Sequence, residues 1–198
     1  MDVSQAIKNR RSNGLVTDEP VPEDVIKQVL EAGTWAPSHH RTEPWRFFVL
    51  TGSGRKPLGE TLAKIQAGKM DDPESETNQK KLEATKQKPY RAPVVIVAAV
   101  EPSDNPKAIE KEEHGAVYAA IQNMLLAAHE LGLGTFWRTG APAYDPQMRD
   151  LFGLSDRGEV LGFIYLGYPK KEVPEGKRVP VEEVTKWFAD EKDFNANK

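Results

Sequence analysis

Seven apolar residues in a row, Val94-Val95-Ile96-Val97-Ala98-Ala99-Val100, come directly after Pro93. The run is mostly β-branched and lacks the polar alternation of a half-solvated strand, so it predicts a strand covered on both faces. A chain built around such a strand has to lay structure on each side of a sheet, with this strand at the sheet's centre. Three further segments read as its neighbours: Trp45 to Leu50, Thr135 to Thr139, and Val160 to Tyr168.

The covering layers come from helical patterns. Val3, Ala6 and Ile7 predict a short first helix that ends near Arg10-Arg11-Ser12. Pro22-Glu23-Asp24 opens a second, whose apolar face is Val25, Ile26, Val29 and Leu30. A third carries Leu58, Leu62 and Ile65. From about Ala108 a long helix follows in which Ala116, Val117, Ala120, Ile121, Met124, Leu125, Ala128 and Leu131 leave little polar face; it belongs in the core or in a subunit interface. Asp145 to Phe152 predicts a short helix, Pro180 to Phe188 a final one, and a polar tail ends the chain. Gln66 to Lys88 holds one Met and one Leu among charged and amide side chains, and reads as an exposed polar excursion that folding does not need. Strands and helices mix without a regular βαβ repeat. The expected class is α+β, in a single domain over residues 1–198.

Composition removes several chemistries. There is no cysteine, which excludes thiol nucleophiles, disulfides and thiolate metal centres. The 27 basic and 30 acidic residues give a net charge of −3 without a long basic run, so nucleic acid is not an expected partner. No apolar segment approaches bilayer length and no signal peptide is visible, which points to a cytoplasmic protein with no membrane partner.

Binding chemistry concentrates in the loop Ala36-Pro37-Ser38-His39-His40-Arg41-Thr42-Glu43-Pro44-Trp45-Arg46, which its prolines keep out of helix and central strand. Ser38 beside His39 lacks the G-x-S-x-G elbow of a hydrolase, and no H-x-x-x-H helix supports a metal, so no metal site is expected. No G-x-G-x-x-G or P-loop pattern occurs. Three separated segments instead place a basic residue beside a hydroxyl: Arg10-Arg11-Ser12, Ser38 with Arg41, and Arg138-Thr139. Guanidiniums and hydroxyls in that combination suit a phosphate, although any one arginine alone is more often a surface ion-pair partner. Trp35, Trp45 and Trp137 stand near the same segments and offer flat apolar walls, with core filling the ordinary role for Trp45.

Arg10-Arg11-Ser12, Ala36-Pro37-Ser38 with Pro44-Trp45-Arg46-Phe47, the strand after Pro93, the long apolar helix, Gly132-Leu133-Gly134 and Gly167-Tyr168-Pro169 follow one another in an order that resembles the FMN-dependent nitroreductase family over nearly the whole chain. Within it the chain is similar to the short bacterial NAD(P)H nitroreductases, with a histidine in the proline loop and Trp-Arg-Ser/Thr-Gly after the long helix. The resemblance implies a mixed central β-sheet flanked by helices, and an intertwined homodimer with one FMN at each end of the interface. It implies that Arg10, Arg11 and Ser12 hold the FMN phosphate and ribityl chain, with Trp137, Arg138 and Thr139 also at the cofactor. Trp35 and His39 would reach in from the other subunit, and Arg178 would reach the phosphate. Arg41 and Glu43 stand where the family commonly has amides. The implied activity is transfer of a hydride from NAD(P)H through FMN to a nitroaromatic or quinone-like acceptor by ping-pong turnover, with no catalytic side chain. A non-catalytic flavin-binding protein on the same fold is the alternative.

Overall fold

In the computed structural model, which describes residues 2–190 and 192, Val94–Val100 forms strand β2 and every residue of it is buried. The pleat sends Val94, Ile96, Ala98 and Val100 into one core layer and Val95, Val97 and Ala99 into the other. Its neighbours are β1 (Trp45–Thr51) and β4 (Glu159–Gly167), and β3 (Gly134–Arg138) pairs with β4 on the far side, in the order β1-β2-β4-β3. All three pairings are antiparallel. The expected mixed sheet is therefore corrected: among the described residues parallel pairing is limited to an isolated bridge between Ser12 and Thr135.

A bulge opposite Ala98 and Ala99 inserts one residue into β4, and this reverses the side-chain parity. Leu161 consequently joins Ile164 and Leu166 in one layer, while Val160 lies with Phe163 and Tyr165 in the other. The first layer is closed by α2 (Glu23–Thr34) and α5 (Glu110–Glu130), which pack along each other. The second is closed by α3 (Lys56–Ala67) and α6 (Pro146–Leu151), while α1 (Val3–Asn9) rests on α5. Burial of the apolar face of α5 is thus complete within one chain: Val117, Ala120, Ile121, Met124 and Ala128 are fully covered. That helix belongs to the core and needs no partner copy.

Two expectations change. The final helix over Pro180 to Phe188 is reduced to a 3-10 turn at Val181–Val184, with Val181, Val184 and Trp187 exposed. A short helix needs an apolar surface to pack on, and Val181, Val184 and Trp187 stay open to solvent. The polar excursion does contain a helix, α4 (Glu76–Lys86), but it packs on α3 and does not stand free: Leu82 and Thr85 are buried, and Thr85 donates to Gln66 Oε1 at 2.5 Å. The backbones nearly touch, since a Cβ on Gly59 would lie 2.3 Å from the Lys86 carbonyl oxygen. Leu82→Ala is therefore expected to cost about 2 kcal/mol, and replacing α4 by a Gly/Ser linker at least as much. An unchanged urea midpoint for both variants would restore the dispensable excursion. The polar tail 193–198 lies outside the described residues.

Candidate functional site

Helix α1 begins at Asp2, whose carboxylate accepts from the Gln5 backbone N–H at 2.8 Å, and Arg10 closes it by donating its backbone N–H to the Ala6 carbonyl. The chain then runs extended beside β3. The Asn13 backbone N–H donates to the Thr135 carbonyl at 2.7 Å, and buried Asn13 donates its side-chain amide to the Lys171 carbonyl at 3.0 Å. These bonds fix Arg10-Arg11-Ser12 against the edge of β3, under the segment that follows β4.

Three guanidiniums converge there. Arg10 is pulled below the ordinary guanidinium value by burial first, then by Arg11 and Arg178. Among the described residues no carboxylate pairs with any of the three. Arg11 donates from Nη1 to the Arg10 carbonyl at 2.7 Å, and its Nε is buried without a partner beneath Gly176, where a Cβ would come within 2.6 Å. His129 of α5 lies in the same field. Burial, then Arg10 and Arg11, depress its imidazole below the usual range, and its Nε2 is buried without a hydrogen bond. Like charges that gather without counterions form a place for an anion.

Arg138 lies farther along the same edge strand, three residues past Thr135 and so about 10 Å away. Its side chain faces the α3 layer, over the rings of Phe136 at 4.7 Å and Tyr165 at 5.3 Å. It borders a cavity of about 350 Å³ lined among others by Lys88, Trp137, Arg138, Thr139, Pro142 and Tyr165. Lys88 is lowered from the ordinary ammonium value by burial, then by Arg91 and Arg138, so a second set of cations gathers, with no carboxylate paired to it among the described residues. Sequence reasoning missed Lys88. The available signal was the basic pair Lys88 and Arg91 immediately before the central strand. Trp137 has its ring centroid 5.9 Å from that of Tyr118 and is seated against Gly162.

The proline loop is strained. His40, Arg41 and Glu43 have φ of 56°, 53° and 45°, each a left-handed conformation that costs a non-glycine residue about 1–2 kcal/mol. Ser38 Oγ steadies the loop by accepting the Glu43 backbone N–H at 3.0 Å. His39 stacks on His40 with centroids 4.0 Å apart, and its Nδ1 lies 2.5 Å from Glu112 Oε2. Trp35, at the end of α2, is 79% exposed. No hydrogen bond, ion pair or ring contact joins Trp35 or His39 to the arginines of the same chain.

The structure therefore gathers Arg10, Arg11 and Arg178 at one end of β3, with Ser12 bridged to Thr135, and Trp137, Arg138 and Thr139 with Lys88 at the other. It leaves Trp35 and His39 apart from both. A larger cavity, about 880 Å³, lies elsewhere, between α2 and β1, and none of the site residues expected from the sequence lines it.

Relatives of the chain are recognisable both in sequence and in structure. The Escherichia coli (strain K12) protein named "Putative NAD(P)H nitroreductase YdjA" is 31% identical over 182 residues, covering 91% of this chain and 95% of its own. The crystal structure of a nitroreductase-like family protein from Bacillus cereus superposes with a TM-score of 0.81 at 28% identity, over 96% of this chain and 97% of that one. A nitroreductase with bound FMN from Bacteroides fragilis gives 0.70 at 26% identity, over 95% and 100%. The profile of the nitroreductase family matches residues 7–168. Arg10, Arg11, Lys88 and Arg138 fall inside that match and Arg178 beyond it; the chain belongs to the nitroreductase family.

Proposed function

We propose that this protein is an FMN-dependent oxidoreductase that takes reducing equivalents from NAD(P)H and passes them to a nitroaromatic or quinone-like acceptor in a ping-pong cycle, as a homodimer with shared sites. The observation that carries the reading is the pair of cation groups flanking one edge strand, one next to the Ser12–Thr135 bridge and one beside an aromatic cavity, with no carboxylate paired to either among the described residues. An FMN-bound relative and one named for NAD(P)H support it. Arg10 and Arg178, with Ser12, hold a phosphate dianion; Phe136 and Tyr165, on the α3 side of the sheet, wall a planar ring; Lys88 and Arg138 set positive charge where a reduced ring accumulates negative charge. FMN, when bound, supplies the hydride chemistry.

The test is the purified protein's visible spectrum followed by stopped-flow mixing with NADH and NADPH. Yellow protein that bleaches with either nicotinamide supports the proposal. Yellow protein that does not bleach supports the non-catalytic alternative, and colourless protein that refuses added FMN removes both. Dimerisation rests on other residues than those of α5. Val3, Ile7, Trp35, Val179, Val181, Val184 and Trp187 are each more than half exposed and are the apolar groups a partner copy would cover. Sedimentation is expected to give a dimer; a folded monomer holding one FMN per chain would reject the shared site.

A further inference from the structure

We propose that Glu112 is a positioning residue that holds His39 so that the proline loop delivers a proton to the oxygen of the electron acceptor. This rests on the flavin reading above, with the loop of one subunit facing the cavity of the other.

Three features of the loop carry the argument. The backbone accepts three left-handed non-glycine residues around His39, and such strain persists where a side chain has to be aimed. The imidazole is clamped on two sides, by the His40 ring at 4.0 Å and by the Glu112 carboxylate at 2.5 Å. A carboxylate partner accepts, which assigns the Nδ1 proton to this bond and leaves Nε2 outside it, the arrangement in which a carboxylate orients a proton-transferring histidine. The side chains of His39 and Glu112 are 59% and 42% exposed, so the ring meets water and can be recharged. Glu113, the neighbouring acid, is committed elsewhere: it is buried and accepts the Ser103 backbone N–H at 3.1 Å.

Two-electron reduction of a quinone to a hydroquinone adds two electrons and two protons. One proton travels with the hydride that the nicotinamide-reduced flavin supplies. For the other, an O–H bond forms at the acceptor oxygen as the Nε2–H bond of the His39 imidazolium breaks. Nδ1 keeps its proton toward Glu112, and the neutral ring regains a proton from water.

The experiment compares wild type, Glu112→Gln, Glu112→Asp and His39→Gln as full-length FMN-loaded protein. Proton–nitrogen NMR reads the His39 ring directly: in wild type the Nδ1 proton is hydrogen-bonded and slowly exchanging, and in Glu112→Gln that signal is lost. FMN content and bleaching by NAD(P)H stay at wild-type values in Glu112→Gln. Reoxidation by benzoquinone slows about 10- to 100-fold in Glu112→Gln and at least as much in His39→Gln, within the range of a general acid, with an enlarged solvent isotope effect. Glu112→Asp recovers part of the rate. Ferricyanide takes electrons without protons, so its rate is unchanged in the two Glu112 variants. Equal slowing with ferricyanide, unaffected quinone reoxidation, or an unchanged His39 signal in Glu112→Gln overturns the proposal while leaving the flavin reading intact. Wild-type protein that binds no FMN overturns both.

Discussion

Arg10→Ala is expected to weaken FMN binding by roughly 30- to 4,000-fold while leaving riboflavin binding almost unchanged. Truncating one arginine of a buried charge pair costs about 2–5 kcal/mol, and each 1.4 kcal/mol is about a decade in Kd. Arg10 is the best placed of the three guanidiniums, since Arg11 is already bound to the Arg10 carbonyl and Arg178 is exposed. Removing Arg10 also relieves its repulsion with the other two, which places the result toward the lower end of the range. Riboflavin lacks the phosphate and is the control. Fluorescence quenching on apoprotein measures both ligands, and circular dichroism confirms the fold. Equal losses for the two ligands would take Arg10 out of the phosphate site.

The second large effect is on Gly162→Ala. Gly162 lies at the β4 bulge with φ of 148°, and a Cβ there would meet Trp137 Nε1 at 2.3 Å and the Arg138 carbonyl at 2.7 Å. Backbone strain and overpacking together cost about 2–6 kcal/mol, against a typical domain stability of about 5–15 kcal/mol. The displaced groups are the ones that wall the cavity, so flavin binding should fall in any fraction that still folds. Gly115→Ala is the control. In mid-helix with nothing near its Cβ, it should gain about 0.5–1 kcal/mol. Equal urea midpoints for Gly162→Ala and wild type would show that β3 can retreat from β4 without cost.

Most of the architecture was legible because it rests on local patterns. The run at Val94 to Val100 placed the central strand, and the apolar stripe of α2 and the nearly all-apolar α5 placed one covering layer. The antiparallel sheet was not legible, since strand direction depends on which segments pair across long separations. The fate of Pro180 to Phe188 turned on tertiary packing, which leaves Val181, Val184 and Trp187 exposed and which no local pattern records. Leu82 was a single apolar residue in a polar helix, too little for a periodicity to register, yet enough to dock α4. At the site, arginine–hydroxyl pairs were visible as types, but their grouping was not: β3 separates Arg138 from Arg10 and hands it Lys88 instead. The pairing of His39 with Glu112 bridges a loop and a helix and left no trace in spacing.

Arg10, Arg11 and Arg178 repel one another, and burial adds to the cost of the Arg10 charge, so a phosphate bound among them, as proposed, would relieve the ligand-free fold. A ligand present at 100 times its Kd adds about 2.7 kcal/mol to stability, which lowers the unfolded population about 100-fold. Cellular proteases remove unfolded chains continuously. The amount of this protein in a cell would then follow the supply of its ligand, and a shortage of cofactor would be felt first as fewer surviving molecules and only afterwards as slower turnover by those that remain.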